Sequence, residues 1–191
     1  MRFACGGLRS APAVASHFVK RIFSKLVRTG GWAVIPGVMN TTPTPRLAYW
    51  KASPPALHAM FALEKAVSST GLEPSLRELV KLRVSQINGC AFCVDLHSRD
   101  ARKAGETEER LALVCVWPEA TCFTPRERAA LHWAETLTRL ADGPVDEEDF
   151  AAVREEFSEE EIVNLTLAIV AINGWNRFSV GFAVPPGYSF A

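Results

Sequence analysis

Two helices separated by a short break are predicted for residues 75–104, which read SLRELVKLRVSQINGCAFCVDLHSRDARKA. The first helix carries apolar residues at steps of three and four, the spacing that places side chains on one helical face. Asn88-Gly89 breaks the pattern, because both residue types accept the left-handed backbone conformation that ends helices. We therefore expect a second helix from about Cys90 to Ala104, with Gly105 as its stop signal.

Further helices are predicted on both sides of this segment. Residues 55–69 repeat the helical spacing, after a lead-in over 41–55 whose Pro and Thr residues predict an extended chain. Downstream, 124–127 (TPRE) and 158–161 (SEEE) each match the capping box that opens a helix. The first of these two helices should reach about Ala141. Because no sustained two-residue alternation occurs, the sequence predicts a single all-α domain.

The overall composition is that of an ordinary globular protein. Hydrophobic residues make up 48% and charged residues 22% of the 191-residue chain, which is long enough to bury a core. The formal net charge is zero, so no global electrostatic attraction to nucleic acid is expected. No run approaches the roughly 18 apolar residues of a membrane-spanning helix, so no integral membrane segment is expected.

The first 40 residues differ from the rest in charge. All 21 Asp and Glu residues lie at position 64 or later, whereas Lys and Arg recur throughout the first 38 residues. An acid-free amphipathic segment is typical of an organelle transit peptide, a membrane-surface helix or a partner-binding arm. Alternatively, the native protein begins at Met39. We expect residues 1–40 to be a basic extension, residues 41–191 to be the domain, and the location to be cytoplasmic rather than organellar.

The cysteine pattern favours a reducing compartment. The count is odd and the spacing irregular: the cysteines are Cys5, Cys90, Cys93, Cys115 and Cys122. In such a setting a CxxC pair is more often catalytic or metal-binding than structural.

Helical spacing places Cys90, Cys93 and His97 on one face, with His97 one turn beyond Cys93. The start of a helix stabilises a thiolate, because its unpaired N–H groups and macrodipole favour negative charge. A neighbouring imidazole can take the thiol proton, and two thiols one turn apart can close to a disulfide. The pattern therefore predicts a reducible, peroxide-reactive pair.

Two roles for Glu78 remain open at this level. Ser75-Leu76-Arg77-Glu78 matches a capping box, which would use the carboxylate at the helix start. If the turn at Asn88-Gly89 folds the first helix back on the second, the same carboxylate can orient His97 and accept a relayed proton.

The CxxC pair is also compatible with two roles that involve no redox catalysis. It could be a buried structural pair, or it could bind zinc with His97 and a fourth ligand from Cys115, Cys122 or Glu78. The sequence has no second CxxC, and it lacks the βαβ setting of a thioredoxin-like CxxC. We therefore expect neither a metal nor a cofactor.

The run from Glu78 to His97 resembles the AhpD-like alkylhydroperoxidase branch of the carboxymuconolactone decarboxylase family. That branch is marked by Glu, eleven residues, CxxC, three residues and His, and this chain reproduces every spacing. The resemblance covers roughly residues 46–182 and includes 98–105 (SRDARKAG) and 171–177 (AINGWNR). It implies an AhpD-like helical bundle with the CxxC at the start of a helix.

The resemblance also implies a role for each residue of the signature. Cys93 would attack the peroxide, Cys90 would resolve the sulfenic acid as a disulfide, His97 would accept the Cys93 proton, and Glu78 would relay it. An external dithiol, lipoamide-linked or thioredoxin-like, would close the cycle. Members of the family usually form homo-oligomers, trimers or hexamers. Some peroxidase members carry a second His between the cysteines, where this chain has Ala91-Phe92.

The sequence thus favours a thiol peroxidase acting on hydrogen peroxide or small organic hydroperoxides. One alternative is a lactone decarboxylase that uses His97 and Glu78 for acid–base chemistry, although the decarboxylases of the family lack the CxxC pair. The other is a non-enzymatic, redox-responsive oligomeric module.

Overall fold

The computed structural model describes residues 44–190, which contain eight α-helices, one short 3-10 helix and no strand. The α-helices are α1 (Tyr49–Ala52), α2 (Pro54–Ser68), α3 (Pro74–Ile87), α4 (Ala91–Lys103), α5 (Glu108–Leu113), α6 (Pro125–Thr138), α7 (Glu147–Glu156) and α8 (Glu159–Gly181). The 3-10 helix, Val114–Val116, lies between α5 and α6. The prediction of a single all-α domain is confirmed, whereas the expectations for residues 1–40 lie outside the described residues.

Helix α3 is central, since it packs against α4, α6 and α8. Its Val80 and Val84 belong to one apolar cluster, which includes Ile169 of α8. Its Leu79 and Leu82 belong to a second cluster. All four of these α3 side chains are buried. Packing on both sides therefore fixes the rotation of α3 about its axis, and with it the direction in which its polar side chains point.

Both predicted capping boxes are present at the starts of α6 and α8. The Thr124 N–H donates to Glu127 Oε2 over 2.8 Å, and the Ser158 N–H donates to Glu161 Oε2 over 2.9 Å. Helix α6 ends three residues before the predicted Ala141. Leu140 is 56% exposed and gains little by continuing the helix, so the chain turns there instead.

Two helices were missed at the sequence level. The chain over 41–55 was expected to be extended, but α1 forms there because Tyr49 is buried against Phe178 of the last helix and against Phe182, its C-cap. The other is α5, whose N-cap Thr107 accepts a hydrogen bond from the Arg110 N–H at 3.3 Å.

None of the helices within residues 44–190 has the length and hydropathy to span a bilayer.

Candidate active site

The turn at Asn88-Gly89 folds α3 and α4 against each other, which is the condition for Glu78 to reach His97. Gly89 has φ +64°, in the left-handed region that glycine enters without steric cost. The Asn88 amide donates to the side-chain oxygens of Asn173 at 2.9 Å and Asn176 at 2.8 Å. The turn is therefore tied to α8 by side-chain hydrogen bonds.

Cys90 is the N-cap of α4, so the CxxC pair lies at the start of a helix as predicted. Its sulfur accepts a hydrogen bond from the Cys93 N–H at 3.3 Å. The two cysteines are joined as a disulfide with a Cα–Cα distance of 5.3 Å, and both are buried. On reduction, both sulfurs would lie at a helix N-terminus, where negative charge is stabilised.

Glu78 contacts His97, and the two residues come from different helices. The distance from His97 Nδ1 to Glu78 Oε2 is 2.8 Å, and both side chains are largely buried. The alternative capping role is not observed, because α3 begins at Pro74 with Glu73 as its N-cap, and Ser75 lies inside the helix. An ionised Glu78 accepts a hydrogen bond from the Nδ1–H of His97, which leaves the lone pair of the imidazole on Nε2.

The CxxC turn and the Glu78–His97 pair lie beside a cavity of about 620 Å³. Cys93, His97 and Glu78 line it, whereas Cys90, also within the described region, does not. One wall is aromatic and is formed by Tyr49, Trp50, Phe61, Phe92, Trp175 and Phe190. The cavity thus combines an aromatic surface with the Cys93 sulfur, the His97 imidazole and several charged side chains.

Lys81 is a polar residue of this site that the sequence-level reasoning missed. It is only 5% exposed, forms an ion pair with Glu64, and places Nζ 3.9 Å from Glu78 Oε1. The available signal was its position three residues after Glu78, which puts both on one face of α3. Arg77 and Asp100 complete the charged lining.

A metal ion is a poor fit to this cluster. Within residues 44–190, one group of side chains offers suitable donor atoms within 4.8 Å of one another, namely Glu78, His97 and Asp100. The Lys81 ammonium beside Glu78 opposes a second cation there. Cys115 and Cys122, the other possible zinc ligands in the sequence, are free thiols that do not belong to the group.

The segment 171–177 contributes to the site in two ways. Trp175 lines the cavity, and Asn176 is 1% exposed and holds the CxxC turn through Asn88. Arg177 instead lies at the surface and donates to the carbonyl of Asn173 at 2.8 Å.

Several known proteins are similar to this chain in sequence or in fold. The profile of the carboxymuconolactone decarboxylase family matches residues 54–136. An uncharacterized Bacillus subtilis protein, YdfG, is 42% identical over 135 residues, which are 71% of this chain and 92% of YdfG. A crystal structure from Agrobacterium tumefaciens, of a protein of unknown function proposed to be an antioxidant defence protein AhpD, is 45% identical with a TM-score of 0.74. That match covers 76% of this chain and 100% of the other.

A further relative is the alkyl hydroperoxide reductase AhpD of Bradyrhizobium diazoefficiens. It is 37% identical over 62 residues, which are 32% of this chain and 31% of that protein, so only part of each is aligned. Together with the fold and the Glu–CxxC–His geometry, these matches mean that the chain belongs to the carboxymuconolactone decarboxylase family.

Proposed function

We propose that this protein is a thiol peroxidase, which reduces hydroperoxides through a dithiol–disulfide cycle of Cys93 and Cys90. The observation that carries the proposal is the meeting of Cys93, His97 and Glu78 at one cavity, with Cys90 in disulfide contact. A nucleophilic thiol, a base and a group that orients the base are the parts that such a reaction needs.

Cys93 is the attacking thiol in this proposal and Cys90 the resolving one. Cys93 lines the cavity that a peroxide enters, whereas Cys90 is the N-cap of α4 and its sulfur faces the Cys93 N–H. His97 follows Cys93 by one helical turn, so the base is adjacent to the thiol that the cavity exposes.

In the first half of the cycle His97 takes the Cys93 proton at Nε2 while its Nδ1–H is held by Glu78. The thiolate attacks the hydroxyl oxygen of the hydroperoxide, so that the S–O bond of a sulfenic acid forms and the O–O bond breaks. The leaving oxygen receives the proton from His97 and departs as an alcohol, or as water when the substrate is hydrogen peroxide.

In the second half the Cys90 sulfur attacks the Cys93 sulfenic acid. The S–S bond forms, the S–O bond breaks, and the hydroxyl leaves as water with the Cys90 proton. An external dithiol, lipoamide-linked or thioredoxin-like, then reduces the disulfide and is itself oxidised to a disulfide.

The lining of the cavity favours an uncharged substrate with an apolar group. Three acidic side chains and two basic ones face the cavity: Glu64, Glu78, Asp100, Arg77 and Lys81. Asp100 is also paired with Lys103 at 2.6 Å, so the charges around the cavity nearly cancel. An organic hydroperoxide is neutral and can pack its apolar group on the aromatic wall. The aromatic wall therefore suits an organic hydroperoxide, while the CxxC pair favours the peroxidase over the decarboxylase.

The experiment is a stopped-flow titration of the reduced protein with tert-butyl hydroperoxide. Wild type should consume one equivalent of peroxide and form the disulfide. Cys93→Ser should consume none at the site, and Cys90→Ser should stop at a sulfenic acid that dimedone labels. Cys115→Ser is the matched control, because it removes an exposed thiol outside the cavity. Reduced wild type that leaves the peroxide intact would overturn the proposal.

A non-enzymatic redox module would behave differently in two measurements. It would consume no more peroxide than the Cys93→Ser variant, and its oligomer size would change between the reduced and oxidised forms. Size-exclusion chromatography of both forms, run beside the titration, separates this alternative from the peroxidase. We expect a homo-oligomer, a trimer or hexamer, of the same size in both redox states.

A further inference from the structure

Lys81 is a buried cation placed between two carboxylates. Its side chain is 6% exposed, it pairs with Glu64 of α2, and its Nζ lies 3.9 Å from Glu78 Oε1 on its own helix. The other oxygen of Glu78 contacts His97 at 2.8 Å. Successive contacts thus connect Glu64, through Lys81 and Glu78, to the imidazole of His97.

A buried ammonium is costly unless it is paired, and an apolar side chain would fill the same space at less cost. Core stability alone therefore gives little reason for a lysine at this position. The placement has a direct consequence for Glu78, however, because a cation on the side opposite His97 stabilises its charged form.

We infer that Lys81, anchored by Glu64, is a positioning residue that keeps Glu78 ionised and directed at the Nδ1–H of His97. The inference rests on the proposed peroxidase function, in which His97 must accept a proton at Nε2. In this role Lys81 makes no contact with the substrate. Instead, Lys81 acts through Glu78, and Glu64 acts through Lys81.

The charged surroundings decide what removal of Lys81 would do. The titratable groups that line the same cavity are Glu64 from α2, Arg77 and Glu78 from α3, His97 and Asp100 from α4, and Tyr49 from α1. Lys103, also from α4, pairs with Asp100 at 2.6 Å. Burial raises the pKa of the Tyr49 phenol above its usual value, so Tyr49 stays neutral at pH 7. From α6, Glu135 is bonded to Arg83 instead, and α8 contributes no charged side chain to the described cavity lining.

Without Lys81, Glu64 and Glu78 would lose the cation they share, while Asp100 would keep its ion pair with Lys103 at 2.6 Å. Removal of a neighbouring cation favours the uncharged form of a carboxyl group. A protonated Glu78 would donate to His97 Nδ1 rather than accept from it. The imidazole proton would then lie on Nε2, and the base would be in the wrong tautomer to take the Cys93 proton.

The test compares Lys81→Met with Lys81→Arg in the rate of Cys93 oxidation by tert-butyl hydroperoxide between pH 5 and pH 9. In Lys81→Met the acid limb of the profile should move to higher pH, with a loss of about tenfold at pH 7 for each unit of movement. Lys81→Arg, which keeps the charge, should retain the wild-type profile. Circular dichroism checks the fold, and Lys81→Gln repeats the test if the Met variant does not fold.

A double variant separates electrostatic positioning from packing. Adding Glu64→Gln to Lys81→Met removes one of the unpaired carboxylates, so the acid limb should move back toward its wild-type position. A role in packing alone predicts a rate that is lower by the same factor at every pH, with no recovery in the double variant. Either that result or a wild-type profile in Lys81→Met overturns the inference.

A second readout does not depend on peroxide chemistry. Long-range ¹H–¹⁵N NMR of the reduced protein at pH 7 should place the His97 proton on Nδ1 in wild type and on Nε2 in Lys81→Met. An unchanged tautomer overturns the inference even where the wild type is active. Inactive wild type with the expected tautomer change would overturn the proposed function and leave the positioning role of Lys81 supported.

Discussion

His97 Nδ1 lies 2.8 Å from Glu78 Oε2, and this contact joins the helix before the CxxC turn to the helix after it. When Glu78 is ionised it can only accept, so the proton of a neutral His97 lies on Nδ1 and Nε2 can serve as a base. Both side chains are largely buried, which strengthens the interaction and shields it from water. The chemistry proposed for Cys93 depends on this pair.

Glu78→Gln is expected to lower the rate of peroxide reduction by about 10- to 100-fold, since an uncharged amide supports the imidazolium less well than a carboxylate does. The thiols remain, so total thiol content and slow oxidation should be unchanged. Stopped-flow measurement with tert-butyl hydroperoxide tests this. Glu119→Gln, an exposed change outside the cavity, is the control and should keep the wild-type rate. Equal rates in the two variants would contradict the role proposed for Glu78.

The helices around this pair could be predicted because their signals are local. Apolar spacing and the capping boxes of Thr124 and Ser158 act over a few residues, and the structure contains both boxes. The role of Glu78 could not be decided locally, since Ser75 and Glu78 also fit a capping box. Only the packing of α3 on α4 brings Glu78 to His97.

The cavity was beyond local prediction for a similar reason. Its aromatic wall is assembled from α1, α2, α4, α8 and the C-terminal segment, which ends the described chain at Phe190. No short pattern connects Trp50 with Trp175, because their proximity depends on the whole bundle. Lys81 was overlooked because it lies within an apolar run, where its burial and its pairing with Glu64 become visible only in three dimensions.

The aromatic wall should determine which peroxides react well. Phe61 lines the cavity and is 56% exposed, so Phe61→Ala should affect stability little. It removes apolar contact area from a bulky substrate, while hydrogen peroxide is too small to use that contact. The ratio of kcat/KM for cumene hydroperoxide to that for hydrogen peroxide should fall by about tenfold. Phe150→Ala, an exposed aromatic outside the cavity, should leave the ratio unchanged.

Glu161 should link stability to pH at the start of α8. The Ser158 backbone N–H, and then the Arg126 guanidinium, lower the pKa of the Glu161 carboxyl from its usual value. Because the folded-state pKa is lowered, its stabilisation is present above the unfolded-state pKa and is lost as pH falls through the folded-state value. Glu161→Gln should therefore lower the urea midpoint at pH 7, and the difference from wild type should disappear as the pH falls through the lowered folded-state pKa of Glu161.

The matched control for this change is Glu160→Gln, which removes a neighbouring exposed carboxylate from the same first turn of α8. It loses the same general attraction to the helix N-terminus but breaks neither the capping box nor the Arg126 contact. A Glu160→Gln variant as destabilised as Glu161→Gln would assign the effect to the helix dipole instead.

Asn176 should prove to be a structural support of the CxxC turn. Its Oδ1 accepts from the Asn88 amide at 2.8 Å, and its Nδ2 donates to the buried Ser85 hydroxyl at 3.1 Å. Asn176→Ala would leave both partners short of a hydrogen bond in a buried site, at a cost of about 1–3 kcal/mol in the free energy of unfolding. The turn would also lose one of its ties to α8, so peroxide reduction should slow further than stability alone explains.

The comparison that decides this prediction uses Asn164→Ala on the same helix. Asn164 donates to the carbonyl of Thr70 at 3.3 Å and makes no contact with the turn. Urea denaturation of both variants gives the stability change, and stopped-flow oxidation at a temperature where both remain folded gives the rate. If Asn176→Ala loses stability but reduces peroxide as fast as Asn164→Ala, the CxxC turn keeps its geometry without the hydrogen bond from Asn88 to Asn176. A slower rate in Asn176→Ala alone means that the position of Cys93 depends on a hydrogen bond from α8.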